Sequence, residues 1–156
     1  MNGTLVCAVS DGAENDEAVA QAAEVSERLG LRLVLAHVAD GIAALGEGDD
    51  ESVTMKADRV AAERRLDELA RDHSLDEGVE QRVAVGDRAT LLGQIASEEA
   101  AAVIVVGARA RGWGRRGLES PLAQELESET PVPVLIAPPR ARDVHVRASA
   151  NGARRR

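Results

Sequence analysis

Residues 101–139 read AAVIVVGARARGWGRRGLESPLAQELESETPVPVLIAPP, and the order of textures along this stretch decides the architecture. Val103 to Val106 is a continuous apolar run of β-branched residues, as a strand covered on both faces requires. Gly107 ends it and allows the backbone to turn sharply. An arginine-studded, glycine-rich loop follows. Ser120 then opens a helix, because a serine side chain accepts an orphan N–H at the N-cap and Pro121 has no N–H to waste at the first helical position. That helix runs from Pro121 to about Ser128, and Val132 to Ala137 is a proline-flanked strand. A buried strand that passes through a glycine loop into a capped helix is a phosphate-binding layout. In an open α/β sheet, ligands sit where strand C-termini meet helix N-termini, since unpaired amides and the helix dipole favour anions there.

The chain before this stretch follows the same alternation. Thr4 to Val9 and Leu31 to Val38 are apolar runs, and between them Ala18, Ala22, Val25 and Leu29 recur at helical spacing, closed by Gly30. Residues 39–50 are rich in glycine and acid and read as an exposed loop. A longer helix spans roughly Val53 to His73, with Met55, Ala62, Leu66 and Leu69 on one face. Val79 to Val85 alternates as a strand near a sheet edge does. Asp87 is placed to cap a helix whose Leu91, Leu92, Ile95 and Ala96 face inward. Five strands alternating with four helices predict an α/β fold with a five-stranded, parallel, doubly wound sheet, helices on both faces and right-handed crossovers.

The 156 residues are expected to form one domain over 1–138, followed by a basic tail, 139–156. The tail has little apolar material, paired prolines and terminal arginines, and is expected to be disordered. The sequence contains no Phe or Tyr, and Trp113 is its one aromatic residue, so the core must be built from Val, Leu, Ile and Ala. No apolar stretch approaches the roughly 18 to 20 residues of a membrane span, and Met1 to Val9 lacks the basic start and long apolar middle of a signal peptide. A cytoplasmic location without membrane association is expected. Cys7, the only cysteine, falls in the first strand as an inert thiol.

The net charge of −8 is unevenly spread. Residues 139–156 hold six arginines against Asp143, a net of +5, which leaves −13 on the rest. An acidic body does not suggest a nucleic-acid partner, and none is expected. Eighteen of the nineteen basic residues are arginine, the residue suited to bidentate phosphate contacts.

Taken together, VCAVSDGAEND, LVLAHV, VAVGD, VVGARARGWGRRGLES and TPVPVLIAPP resemble the universal stress protein family over about Asn2 to Pro138. The resemblance implies strand order 3-2-1-4-5, so that strands one and four flank the topological switch point. It also implies a crevice there that takes ATP or AMP in some members, and a homodimer joined through the fifth strand. The nucleotide-binding members are similar in a loop pattern G-x-x-G, nine residues, G-[S/T], with an aspartate just after the first strand. On that pattern, with eight residues (111–118) here in place of the nine, Gly107 matches the first glycine and Ser120 the terminal hydroxyl. Ala110 and Glu119 stand in place of the other glycines. A methyl group at Ala110 crowds the approach of a phosphate, whereas a carboxylate at Glu119 sets charge against like charge. At roughly 4 Å and an effective dielectric near 20, one such pair costs about 4 kcal/mol. Ser10 aligns with the family aspartate, and a one-residue slip brings Asp11 there instead.

The candidate site therefore comprises Ser10 and Asp11, Val38 as a wall for adenine, Val106 and Gly107 at the end of the fourth strand, and Ser120. Arg109, Arg111, Arg115 and Arg116 add four cations with no acid between Gly107 and Leu118. They are able to hold an anion by bidentate contacts; a solvated basic loop against an acidic body is the alternative reading. Trp113 offers a face for stacking on a base or a partner, or is a loop tryptophan exposed to solvent. Gly112, Gly114 and Gly117 spell G-x-G-x-x-G out of position, a chance match. His37 reads as a hydrogen-bonded structural histidine, His73 ends a helix, and His145 lies in the tail. No spacing resembles a metal site or a catalytic triad.

Three functions compete. The first is a non-catalytic, dimeric stress-response or regulatory protein that binds adenine nucleotide weakly or not at all. The second is a true ATP- or AMP-binding protein, with the arginine loop and Ser120 on the phosphates. The third is an ATP-using enzyme of the wider adenine-binding α/β group, which needs a serine- and glycine-rich loop after the first strand; SDGAEND is not one. The dimer edge is expected at Val134, Leu135, Ile136 and Ala137. Pro131 and Pro133 lack N–H groups on one side, so the sequence predicts Leu135 and Ala137 facing outward, and Val132, Val134 and Ile136 facing the fourth strand.

Overall fold

A computed structural model describes residues 3–10, 15–40, 51–75, 78–110 and 118–138. Strand β1 (Thr4–Val9) leads to helix α1 (Asn15–Leu29), β2 (Arg32–Asp40), α2 (Glu51–Asp72), β3 (Glu80–Gly86), α3 (Arg88–Glu98) and β4 (Ala101–Gly107). Two short strands follow, β5 (Arg109–Ala110) and β6 (Leu118–Glu119), then α4 (Pro121–Glu129) and β7 (Val134–Ala137). The main sheet has five parallel strands in the order β3-β2-β1-β4-β7. Counted within this sheet the order is 3-2-1-4-5, as the resemblance implies.

Every residue of β1 is buried, because β1 lies in the middle of the sheet with helices on both faces. Side chains alternate across the pleat. Leu5, Cys7 and Val9 pack with Ala18, Val19 and Ala22 of α1 and with Leu66 and Leu69 of α2. Val6 and Ala8 pack on the other side with Leu92, Ile95 and Ala96 of α3 and with Ala123 and Leu126 of α4. Small alanines on the helices let them sit close to a sheet of branched aliphatic residues, which is how the protein closes a core without phenylalanine or tyrosine. Truncating Leu66 or Leu92 to alanine in such a core costs about 2–5 kcal/mol.

Local chemistry sets the helix ends. Asp87 accepts the Thr90 N–H at 3.0 Å and starts α3, and Ser120 accepts the Ala123 N–H at 3.2 Å and starts α4, with Pro121 in its first turn. Gly30, at φ 63°, stops α1 in the left-handed conformation open to glycine. The Leu31 N–H then reaches back to the Ser26 carbonyl at 2.8 Å.

Four expectations are corrected by the structure. Leu29, the last residue of its helix, is 60% exposed. The fifth strand of the main sheet begins at Val134 instead of Val132, and β2 continues to Asp40. Gly107 does not turn sharply: it stays extended, pairs with Ala137, and is not among the positive-φ glycines. The chain runs on instead into the antiparallel β5–β6 pair, an element without sequence periodicity.

The fourth correction concerns the open edge of β7. Ile104 donates its N–H to the Pro133 carbonyl at 2.9 Å, and Ala108 donates to the Ala137 carbonyl at 3.0 Å. The N–H and C=O of one strand residue point to the same side, so Pro133, Leu135 and Ala137 face β4. Val134 and Ile136 face outward, the reverse of the sequence expectation. The reason is the starting point: Pro133 lies just before the first ladder pair, Ile104 with Val134, so its missing donor is spent where pairing has not begun.

Candidate functional site

The parallel register carries β1 and β4 side by side to their C-terminal ends, with Cys7 opposite Val105. At this switch point β2 lies on one side of β1 and β7 on the far side of β4. Ser10 follows β1, Gly107 ends β4, and Ser120 caps α4. These three are brought to the same end of the sheet, as the sequence reading requires of a ligand crevice.

Ser10 is held there by a residue the sequence reading did not single out. Asn15, 2% exposed at the start of α1, accepts the Ser10 N–H at 2.8 Å and the Ser10 hydroxyl at 3.3 Å. Its amide nitrogen donates to the Ser10 carbonyl in turn. One side chain thus clamps both ends of the β1–α1 turn. An asparagine six residues past a strand end and just before a helical period was the available signal. His37, 3% exposed, makes a hydrogen bond from Nδ1 to the Val9 carbonyl at 2.9 Å, tying β2 to β1 at this end. It is structural, as expected.

Beyond β4 the described backbone pairs with itself. Arg109 stands opposite Glu119, and Ala110 opposite Leu118, in the antiparallel β5–β6 ribbon. The Ala108 N–H is already bound to Ala137. Both positions that depart from the glycine pattern are therefore strand-paired, and Glu119 has an arginine as its cross-strand neighbour. The hydroxyl of Ser120, 7% exposed, is occupied as an acceptor in capping α4. Val38 and Val106, each 1% exposed, belong to the core cluster beneath α3 and α4. The Val38 side chain is packed into that core. Asp11, Arg111, Trp113, Arg115 and Arg116 lie outside the described residues, as do the side chains of Arg109 and Glu119.

The sequence matches the model of the universal stress protein family over residues 1–138. The chain belongs to the universal stress protein family. Solved members share its fold at low identity. Universal stress protein UspA from Lactobacillus plantarum is 15% identical with a TM-score of 0.70, covering 88% of this chain and 99% of its own. A universal stress protein from Archaeoglobus fulgidus in complex with dAMP is 18% identical with a TM-score of 0.54, covering 86% of this chain and 96% of its own. A universal stress protein in complex with cAMP is 18% identical with a TM-score of 0.55, covering 86% and 95%. Among curated proteins the sequence finds no match.

Two further groups complete the chemistry of this universal stress protein domain. Burial pushes the Cys7 thiol up to about 12, which removes it as a nucleophile near neutral pH. Among the described residues no cluster of His, Cys, Asp and Glu is arranged to hold a metal ion, and no helix is long and apolar enough to cross a membrane. At the opposite pole of the sheet, Glu99 takes Arg82 on one carboxylate oxygen and Arg32 on the other, both at 2.6 Å. Arg32 also reaches Glu80 on β3, and Arg82 reaches Glu98. Burial raises the Glu99 carboxyl, but the hydrogen bonds from Arg82 and Arg32 outweigh it and hold the group below its ordinary value. This network fastens strands far from the crevice and has no part in the candidate site.

Proposed function

We propose that this universal stress protein is a non-catalytic, cytoplasmic stress-response or regulatory protein whose crevice binds adenine nucleotide weakly or not at all. The observation that carries the reading is the β5–β6 ribbon. Anion loops work by leaving backbone N–H groups convergent and unpaired. Here the amide after Gly107 is bonded to Ala137, and the ribbon, which sets Arg109 opposite Glu119 and Ala110 opposite Leu118, turns one of the two pattern-glycine amides inward to its partner strand. A phosphate entering the loop competes with the Ala108–Ala137 bond and the ribbon, and meets Glu119. The acidic body argues against a nucleic-acid partner, and the expected partner is a second copy joined through β7. The tail beyond 138 is assigned no role in nucleotide binding.

A second reading, true ATP or AMP binding, is favoured by the cAMP and dAMP complexes of the two relatives and by the loop arginines. In that case Ser120 donates its hydroxyl proton to a phosphate while its oxygen still caps α4. Native mass spectrometry of the purified protein separates the readings by whether ATP or AMP co-purifies. Titration of Trp113 fluorescence with MgATP gives the affinity. Glu119→Gly with Ala110→Gly should bind at least about tenfold tighter than wild type, since it removes both the charge and the crowding. Co-purified nucleotide, or equal curves for the two proteins, would sink the weak-binding reading.

A further inference from the structure

The outer edge of β7 combines three features that call for a covering strand of stated charge. Val134 and Ile136 turn their N–H and C=O groups outward, and Leu135 and Ile136 remain 39% and 37% exposed. Beside the edge, α4 presents Glu125, Glu127 and Glu129, all exposed. From Leu118 through Pro139 the sequence contains no Lys, Arg or His. Glu125 and Glu129 stand four residues apart on the helix, a spacing at which like charges repel unless cations intervene. An apolar edge whose amides find no strand partner among the described residues is also the feature natural sheets take care to cover.

The chain supplies a complement directly after β7. Residues 139–156 hold six arginines against a single acid. Within them Asp143, Val144, His145, Val146 and Arg147 alternate polar and β-branched residues, the one strand-like pattern in the tail. Residues 138–142 are a five-residue connection, within the range of hairpin loops. A connection of that length sets Ile136 opposite Val144, Leu135 opposite His145 and Val134 opposite Val146. The parity fits: Val134 and Ile136, with outward amides, become the hydrogen-bonded pairs, and their valine partners lie on the α4 side of the sheet with Val134.

We propose that residues 143–147 fold back antiparallel onto the outer edge of β7, with the tail arginines over the acidic face of α4, and so occupy the edge through which a second copy would pair. The tail is then an intramolecular competitor of the dimer. It sets how much protein is needed for self-association, and the inference rests on the reading of β7 as the dimer edge. Any polyanion that draws the arginines away frees the edge.

The test uses the full chain. Val144→Pro with Val146→Pro removes the two tail N–H groups that face β7, whereas His145→Pro removes one that faces away. Hydrogen exchange at the Val134 and Ile136 amides is read at concentrations where the protein is monomeric, and light scattering over a dilution series reads the dimer. Wild type and His145→Pro should protect both amides at least about tenfold more than the double proline variant. The double variant should dimerise at least about tenfold more tightly. Equal exchange and equal dimerisation in all three proteins overturn the tail docking and leave the dimer edge standing. Loss of protection in the double variant with no dimer in any protein keeps the docking and removes the dimer reading. If His145→Pro behaves like the double variant, the proposed strand register is wrong.

Discussion

Asn15 joins two elements through one buried amide, and its loss is felt on both sides of the β1–α1 turn. With alanine there, the Ser10 N–H and carbonyl lose their partner together. Asn15→Ala should therefore lower the unfolding free energy by about 1–3 kcal/mol, the usual net worth of two hydrogen bonds at a partly buried site. Urea denaturation measures it, and an unchanged midpoint would deny Asn15 the clamp. Cys7 makes the contrary case of a reactive atom silenced by its surroundings. With its thiol pushed up to about 12 and its side chain fully buried, modification by a disulfide reagent should proceed at the rate of opening. Prompt labelling of the folded protein would contradict that burial. The two residues also differ in how readily the sequence exposes them. A cysteine inside an apolar run announces its burial, whereas an asparagine at a helix start has many uses, and only the position of the Ser10 backbone selects one.

At the scale of elements, β7 shows what periodicity conveys and what it omits. The apolar runs of β1 and β4 are legible because burial on both faces leaves few residues to choose from, and β7 is legible from the prolines that flank it. Which side of β7 faces β4 is not legible, since it depends on where the ladder begins, and a shift of one residue reverses every amide. The β5–β6 ribbon is beyond sequence periodicity for a related reason: two residues carry no period, and their pairing follows from how the loop closes. The corrected parity reverses the expected effect of proline. Leu135→Pro should damage the fold by removing a donor to β4, whereas Ile136→Pro should leave the domain folded and abolish association through the outer edge. Circular dichroism beside light scattering distinguishes these outcomes. A folded Leu135→Pro protein together with an unfolded Ile136→Pro protein would restore the original parity.

The whole molecule has two poles, and an ion-pair network that fastens the sheet lies at the one away from the crevice. Arg32 on β2, Glu80 and Arg82 on β3, and Glu98 and Glu99 at the end of α3 meet there although they are scattered along the chain. No local pattern reveals such a set, because each residue alone reads as a solvated charge. Glu99 is its centre, with a side chain only 8% exposed between two arginines. An unfolded glutamate titrates near about 4.3, and the folded Glu99 titrates below its ordinary value. The unfolded chain therefore takes up this proton first as the pH falls. The stabilisation is complete above the unfolded value and is lost as the pH passes down through the folded one. Glu99→Gln keeps the shape and one acceptor but removes the charge. It should lower stability by about 1–3 kcal/mol at pH 7, toward the lower end because Arg32 is half exposed and screened by solvent. The gap between variant and wild type should close as the pH falls below about 4, where the wild-type carboxylate is itself being neutralised. Urea unfolding of both proteins at pH 7, 5 and 3 follows this convergence, and a gap that stays constant across the series would show that Glu99 stabilises the domain by packing alone.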